Sequence, residues 1–466
     1  MRTKPRERTN RTVGLLLTAG ILLAPQALPA QEQQPAWPQY QHDAARSGYT
    51  PTGPKPPFKE AWSFDFLEQK SKIHPVVQAI VYQGKVFVPS RNGRIFAVDA
   101  VTGKLVWKKE GIGPALHSVG CADDKVFCGS LDGHVYALNA ADGTPVWKTF
   151  ANVRGFCVAP CLAEGRIFLG CRNGTFFCLD QKTGKILWQR DTGNFIYHTA
   201  AFADGRVFVG NEQLAALCLD AQSGEILWKK TGMVGMTFMN GCAFIDRGKA
   251  IFRTWSAAKA TLLRIDKAAL DAAVNRGEWF PFPEAQERRI LANLKEKEIE
   301  YREMYAYDDV TGEEPYVLPH SNGSSVDGPS FGVCSDGRGN WITYLTVEGW
   351  RGHPNLIFAR INPDTGRMKD VIWTPDCKLP NSDEANAFSV GGDILFCSEQ
   401  EEGEAGIFTA FDLKAVKRIP IPILSRFYSW DFEYNHQPLC NPIAISGNRF
   451  YKVTNHALHC WVGSGQ

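Results

Sequence analysis

GKVFVPSRNGRIFAVDAVTGKLVW (84–107), DKVFCGSLDGHVYALNAADGTPVW (124–147), GRIFLGCRNGTFFCLDQKTGKILW (165–188) and GRVFVGNEQLAALCLDAQSGEILW (205–228) repeat one phrase four times. Each copy closes on a tryptophan, and Trp107, Trp147, Trp188 and Trp228 lie 40, 41 and 40 residues apart. A period near forty residues, built of short alternating strands and glycine-containing turns, specifies a β-propeller with one sheet per repeat. Within a copy, GRIFLGCRNG is an alternating strand ending in a turn, TFFCLD is the next strand, and KILW follows a tight turn. That turn recurs as Asp99…Thr102-Gly103, Asn139…Asp142-Gly143, Asp180…Thr183-Gly184, Asp220…Ser223-Gly224 and Asn362…Thr365-Gly366. Asp or Asn caps backbone N–H groups, and Gly takes the positive φ that other residues resist. The closing tryptophan is expected to lie flat between neighbouring blades, a large ring buried where two sheets meet.

Degenerate copies complete the ring. Residues 240–266 read as a fifth blade that has lost its Gly-x-x-x-Trp ending. Residues 331–373 read as a sixth, lengthened by a hairpin around Trp350 and docked by Trp373, and 385–419 as a seventh. Residues 441–462 supply only three strands of the last blade. The fourth is KEAWSFDF (59–66), whose Trp62 matches the docking tryptophans. An N-terminal strand that completes the last blade also hides an edge open to aggregation. The fold is therefore all-β, an eight-bladed propeller of four-stranded blades spanning 59–466, or seven-bladed if 240–266 is not a full sheet. Residues 267–328 hold good helix formers and are read as a helical insertion between blades five and six. That insertion is either packing decoration or a lid or docking arm.

The ends and the composition narrow the function classes. Arg2, Lys4, Arg6, Arg8 and Arg11 precede the apolar run Val13–Ala24, and Ala27-Leu28-Pro29-Ala30 offers a small-residue cleavage site. Residues 1–30 thus read as a secretory signal peptide, followed by a lead-in at 31–58. Export to the periplasm or exterior is expected. No cysteine precedes Cys121, so no lipid anchor is expected, and no apolar run is long enough for a transmembrane helix. The formal net charge is +2 with both signs interspersed, which gives no case for nucleic acid. Of the thirteen cysteines, Cys178 and Cys218 share one repeat phase and Cys128 and Cys397 another. Such strand-interior slots suit small buried hydrophobes. CVAPC (157–161) is the best local disulfide candidate.

The phrase G-x-[VI]-[FY]…G-x-[FY]-x-x-[LV]-[DN]-x-x-[TSD]-G-x-x-x-W resembles the tryptophan-docking repeat of PQQ-like quinoprotein propellers, most closely over 84–228 and less so over 331–373. The lead-in WPQYQHDAARSGYTP (37–51) is similar to the segment before the first blade in exported bacterial members. Quinoprotein dehydrogenases of this architecture use a vicinal Cys-Cys disulfide above the cofactor, with carboxylates and an Asn around calcium. This chain has no adjacent cysteines. The resemblance thus implies the scaffold without that catalytic site: a non-catalytic propeller that binds a partner protein or extracellular ligand, with no cofactor and no metal expected. The alternative is a PQQ- and calcium-dependent oxidoreductase, or a carbohydrate-active enzyme, with a divergent axial site.

Residues just before each blade's first strand crowd around the axis, and here they are rich in imidazole. His117 and His198 share one repeat phase two blades apart, and His74 and His436 lie near it. Arg154, Tyr197, Asn240, Asp327 and Asn386 are further polar neighbours. Such a ring suits an anion, a sugar or a metal as ligand. Equally, it suits a polar pore mouth with no tight ligand. No catalytic residue is assigned.

Overall fold

The computed structural model describes residues 36–254, 266–296, 302–319, 333–347, 355–372, 388–398, 408–419 and 442–465, with Met1 and Ile421. The signal-peptide reading of 1–30, together with Trp350, Trp373, Asp327, Asn386 and His436, lies outside the described residues. Eight antiparallel sheets are present, which settles the count at eight blades. Blade one is Ile80–Tyr82, Lys85–Pro89, Arg94–Asp99 and Leu105–Glu110. Blades two, three and four repeat this plan from Gly120 to Phe150, Cys161 to Asp191 and Ala201 to Lys230. Blade eight joins Ala444–Ser446, Arg449–Val453 and Ala457–Gly463 to the N-terminal strand Phe58–Asp65, as the sequence led us to expect.

Four docking tryptophans behave alike, each Nε1 donating to a backbone carbonyl at the turn of the next blade: Trp107 to Ala140 at 3.2 Å, Trp147 to Gln181 at 3.1 Å, Trp188 to Ala221 at 3.0 Å and Trp228 to Asp309 at 3.3 Å. Trp62 lies on Gly103 without that bond, and the Tyr451 hydroxyl donates to the Ala100 carbonyl in its place, at 3.0 Å. Each indole lies on its turn's glycine. At Gly184, with φ of 72°, a Cβ would fall 2.6 Å from Trp147, so this position needs glycine twice over, for its backbone and for its space. Every regular outer strand also carries a β-bulge at the residue before the tryptophan, at Val106, Val146, Leu187 and Leu227. The bulge turns the aliphatic side chain to solvent and the indole inward, and it makes the outer edge irregular.

The other half reaches the same geometry by substitution. Blade five pairs Phe244–Asp246 and Lys249–Arg253 with Met304–Asp308, three strands among the described residues. The helices at Lys267–Asn275 (α1) and Glu284–Glu296 (α2) therefore interrupt blade five instead of lying between blades five and six. This corrects the expected 267–328 boundary: the strand after the helices returns to the sheet it left. Its turn, Asp308…Thr311-Gly312, is another copy of the repeat turn, capped by Asp308. Four residues on, Tyr316 takes the docking position, set against Gly366 with its hydroxyl donating to the Pro363 carbonyl at 2.5 Å.

In blade six the equivalent position, four residues after Gly366, is Asp370. It pairs bidentately with Arg360, whose guanidinium stacks 3.9 Å from the ring centre of Trp279. Trp279 Nε1 donates to the Leu413 carbonyl at 3.0 Å, the blade-seven counterpart of the carbonyls above. The arm thus supplies a docking tryptophan that the blade itself lacks. Phe280–Pro281 adds a strand to blade six, and α2 buries Ile290 and Leu294 against Ile357, Met368 and Val371. Buried Glu287 accepts from Arg367 and from the Met368 amide. These contacts favour packing over a free lid.

Candidate functional site

The axial channel is lined by the innermost strands, whose inward amides need partners. They find them in the lead-in. The Val81 amide donates to the Trp37 carbonyl at 2.9 Å and that of Cys121 to Pro38 at 2.8 Å. Leu162 exchanges two bonds with the Gln39 side chain. Phe202 donates to Ala44 at 2.8 Å, Ile245 to Ala45 at 3.0 Å, Ser335 to Ser47 at 2.9 Å and Val390 to Gly48 at 2.8 Å. Tyr49–Thr50 then runs parallel to blade seven, and Phe58–Asp65 enters blade eight. Residues 37–65 therefore make one circuit of the ring, touching each blade in order.

Inside this girdle sits Arg46, 1% exposed. Its guanidinium donates to the carbonyls of Ala200 at 2.9 Å, Tyr40 at 2.8 Å, Asp43 at 3.3 Å and Pro160 at 3.2 Å, so it ties the lead-in to the entries of blades three and four. Gln78, fully buried, accepts from the Gln41 amide and donates to the Ile443 carbonyl. Asp43 accepts from Ser47 and faces His42. Although desolvation opposes it, these contacts hold its carboxyl below the usual range.

His117 and His198, which share a repeat phase, are both buried, but in different surroundings. His117 packs edge-on against Tyr40 at 4.6 Å; its Nδ1 accepts from the Ser118 amide, and its Nε2 is 3.5 Å from Thr199 Oγ1. His198 lies between Phe238 and Phe252, and its Nδ1 accepts from the Gly210 amide. Its Nε2 has no partner among the described residues. Burial, then the nearby charges of His74 and Arg46, pushes His117 down to about 3. Burial pushes His198 to about 3, and burial with Arg91 pushes half-buried His74 to about 4. At neutral pH all three are uncharged.

Of the other candidates, Asn240 is half-buried at φ 62°, its amide bonded to the Tyr197 carbonyl, while Arg154 points to solvent. Sequence reasoning missed Arg46, Tyr40 and Gln78, because the lead-in carries no repeat that marks which of its polar side chains turn inward. The eleven described cysteines are free thiols, nine of them buried, and Cys157 and Cys161 are among them. Burial raises the thiol pKa of each buried cysteine for which a shift is resolved, as at Cys161, pushed up to about 11.

Among the described residues no cluster of three or more His, Cys, Asp or Glu is arranged to hold a metal. Calcium requires several oxygen ligands, largely carboxylate. The described girdle brings the Arg46 guanidinium, the neutral imidazole of His117 and one carboxylate, Asp43, already bonded by Ser47, a donor set that does not fit that ion.

Residues 59–156 and 152–241 match the sequence family described as outer membrane protein assembly factor BamB. No curated protein matches the chain. Among solved structures, BamB from Moraxella catarrhalis is similar at 13% identity and a TM-score of 0.56, covering 87% of this chain and 100% of that one. A europium-containing methanol dehydrogenase is similar at 11% identity and a TM-score of 0.58, covering 92% and 98%. The quinohemoprotein alcohol dehydrogenase of Comamonas testosteroni is similar at 12% identity and a TM-score of 0.55, covering 93% and 81%. These likenesses concern the fold, which is shared by an assembly factor and by enzymes.

Proposed function

We propose that this chain, which matches a PQQ-like β-propeller repeat family over 59–156 and 152–241, is an exported, non-catalytic scaffold that binds a partner protein. One observation carries the reading: the axial channel is occupied by the chain's own lead-in, with Tyr40 and Arg46 fully buried at its centre. A propeller that catalyses at its axis needs that space for cofactor and substrate. Here Arg46 is spent on four backbone carbonyls and His117 packs on Tyr40, which suits a rigid ring that presents its outer surfaces.

The test is reconstitution of the purified mature chain with PQQ and calcium, followed by dye-linked oxidation of alcohols and sugars. No cofactor-dependent dye reduction is expected. Site-specific photocrosslinking in the exported fraction should meanwhile yield one discrete adduct. Dye reduction that requires PQQ would overturn the scaffold reading in favour of an oxidoreductase.

A further inference from the structure

Blade three carries a thiol where blade two carries a hydroxyl. In the turn after the second strand of blade two, Ser130 Oγ donates at 3.2 Å to the Pro114 carbonyl, on the connection that leads into that blade. In blade three the same position is Cys171. Its Sγ donates to the Gly155 carbonyl at 3.2 Å, and the Arg172 amide donates to that oxygen at 3.1 Å. Sulfur is the weaker donor, so hydrogen bonding alone gives no reason for a cysteine here.

A second thiol stands two residues beyond that carbonyl. Cys157 is half-buried on the same connection and packs on the apolar cluster between blades two and three, of which Cys171 is a fully buried member. Burial pushes the Cys157 thiol up to about 12; Arg172 opposes the shift, and the charge of Cys171 adds to it. The two sulfurs therefore lie within electrostatic reach of each other. Rotation about χ1 carries either sulfur by about 3 Å from one staggered position to the next. What Cys171 gives up in turning is its weak bond to Gly155.

Cys161, the other thiol close in sequence, faces elsewhere. Its Sγ donates to the Ala44 carbonyl of the lead-in at 3.8 Å, and it packs in the cluster between blades three and four. The CVAPC spacing (157–161) thus sends its two sulfurs into different interblade layers.

We propose that Cys157 and Cys171 are a redox pair that closes to a disulfide when the chain meets a disulfide donor, such as an oxidising compartment supplies. Cys157, the more exposed of the two, reacts first. Its thiolate attacks one sulfur of the donor disulfide, forming a mixed disulfide and releasing the donor's other sulfur as a thiolate. Cys171 then loses its proton and attacks Cys157 Sγ, and the donor's remaining sulfur leaves. The two cysteine thiols lose two protons and two electrons, and the donor disulfide is reduced to two thiols. The raised pKa of Cys157 keeps its thiolate scarce at neutral pH and makes the first step slow. The bond fixes the interblade connection to the turn of blade three. The pairing holds whether the ring is a scaffold or an enzyme.

The full chain, purified with its thiols reduced, is incubated with oxidised glutathione at mildly alkaline pH, where the thiolate is more abundant. Remaining thiols are alkylated, and a non-reducing tryptic digest is read by mass spectrometry. Peptides 155–166 and 167–172 should appear joined in the wild type and in Cys161→Ser, and separate in Cys157→Ser and Cys171→Ser. Serine at 171 keeps the turn's bond, as Ser130 does in blade two, so that variant should melt like the reduced wild type. In urea the oxidised wild type should gain roughly a hundredfold in its folding equilibrium constant over the reduced chain, the effect expected of a closed loop of about fifteen residues. A bond between Cys157 and Cys161 overturns the proposal. So does glutathione left on Cys157 beside a free Cys171, or two free thiols when the incubation ends.

Discussion

Blades one to four and blades five to eight solve one packing problem with different residues. In the first half a tryptophan lies on the turn glycine of the next blade, four times with the same hydrogen bond. In the second half Tyr316 does this for blade six, and Trp279 reaches across from the helical arm to blade seven. There the turn position is Val416, held at φ 52° where the regular copies have glycine. Six junctions therefore share a contact, an aromatic donating to the carbonyl after the turn's capping residue. They do not share the residue that makes the contact, nor even the strand it comes from.

The largest expected effect breaks the comparison at the turn. Gly184→Val places a β-branched side chain at positive φ with its Cβ 2.6 Å from Trp147, and should cost at least about 4 kcal/mol in denaturant unfolding. At the same phase Val416→Gly relieves backbone strain but removes a buried side chain. The two offset each other, leaving a loss of only about 1 kcal/mol. Comparable losses at both sites would mean that Val416 is not the counterpart of the turn glycine.

Trp279→Ala comes next. It leaves the Leu413 carbonyl without its indole donor and strips the ring from Arg360, at a cost of about 3 kcal/mol. A loss below about 1 kcal/mol would show that the arm is ornament and that blade seven is docked by something else.

An effect smaller per residue separates the halves by pH. The described histidines with depressed pKa precede blades one, two and four. In the unfolded chain each takes a proton near pH 6.5, whereas in the fold His117 and His198 stay neutral to about 3. Between these values the unfolded state binds more protons, so stability falls as pH falls. At pH 5 each of the two costs roughly 2 kcal/mol. Melting at pH 7.5 and pH 5 should show this drop, and His198→Gln should reduce it. A melting temperature flat across that window would mean that these imidazoles are solvated.

The fold was legible wherever a side chain had to repeat. The Trp-to-Trp spacing gave blades one to four, and Trp62 gave the closing strand. The break in blade five was hidden because Met304–Asp308 lies some fifty residues beyond its partner strand, although Asp308…Thr311-Gly312 carried the turn signature. Trp279 was illegible because its partner is distant in sequence and its own surroundings are helical. Phase placed His117 and His198 at equivalent points before their blades, but not in one setting: His117 meets Tyr40 of the lead-in, whereas His198 lies among Phe238 and Phe252. It did not reveal the lead-in beside the innermost strands, because the girdle is made chiefly of single backbone hydrogen bonds, which leave little mark on side-chain choice. Arg154 was misplaced for a related reason. Its connection is two residues from strand end to solvent-facing bend, a local geometry that repeat spacing does not fix.

The girdle decides whether the axis is closed, and amide hydrogen exchange at the innermost strands addresses it directly. The amides of Val81, Cys121, Phe202, Ile245, Ser335 and Val390 each donate to the lead-in. If the lead-in is an integral part of the ring, all six exchange slowly and together, with the protection of core strand amides such as those of Phe87 and Phe168. Exchange of the six as a separate, weakly protected group would show that the lead-in peels away, and would return the axis to use as a ligand site.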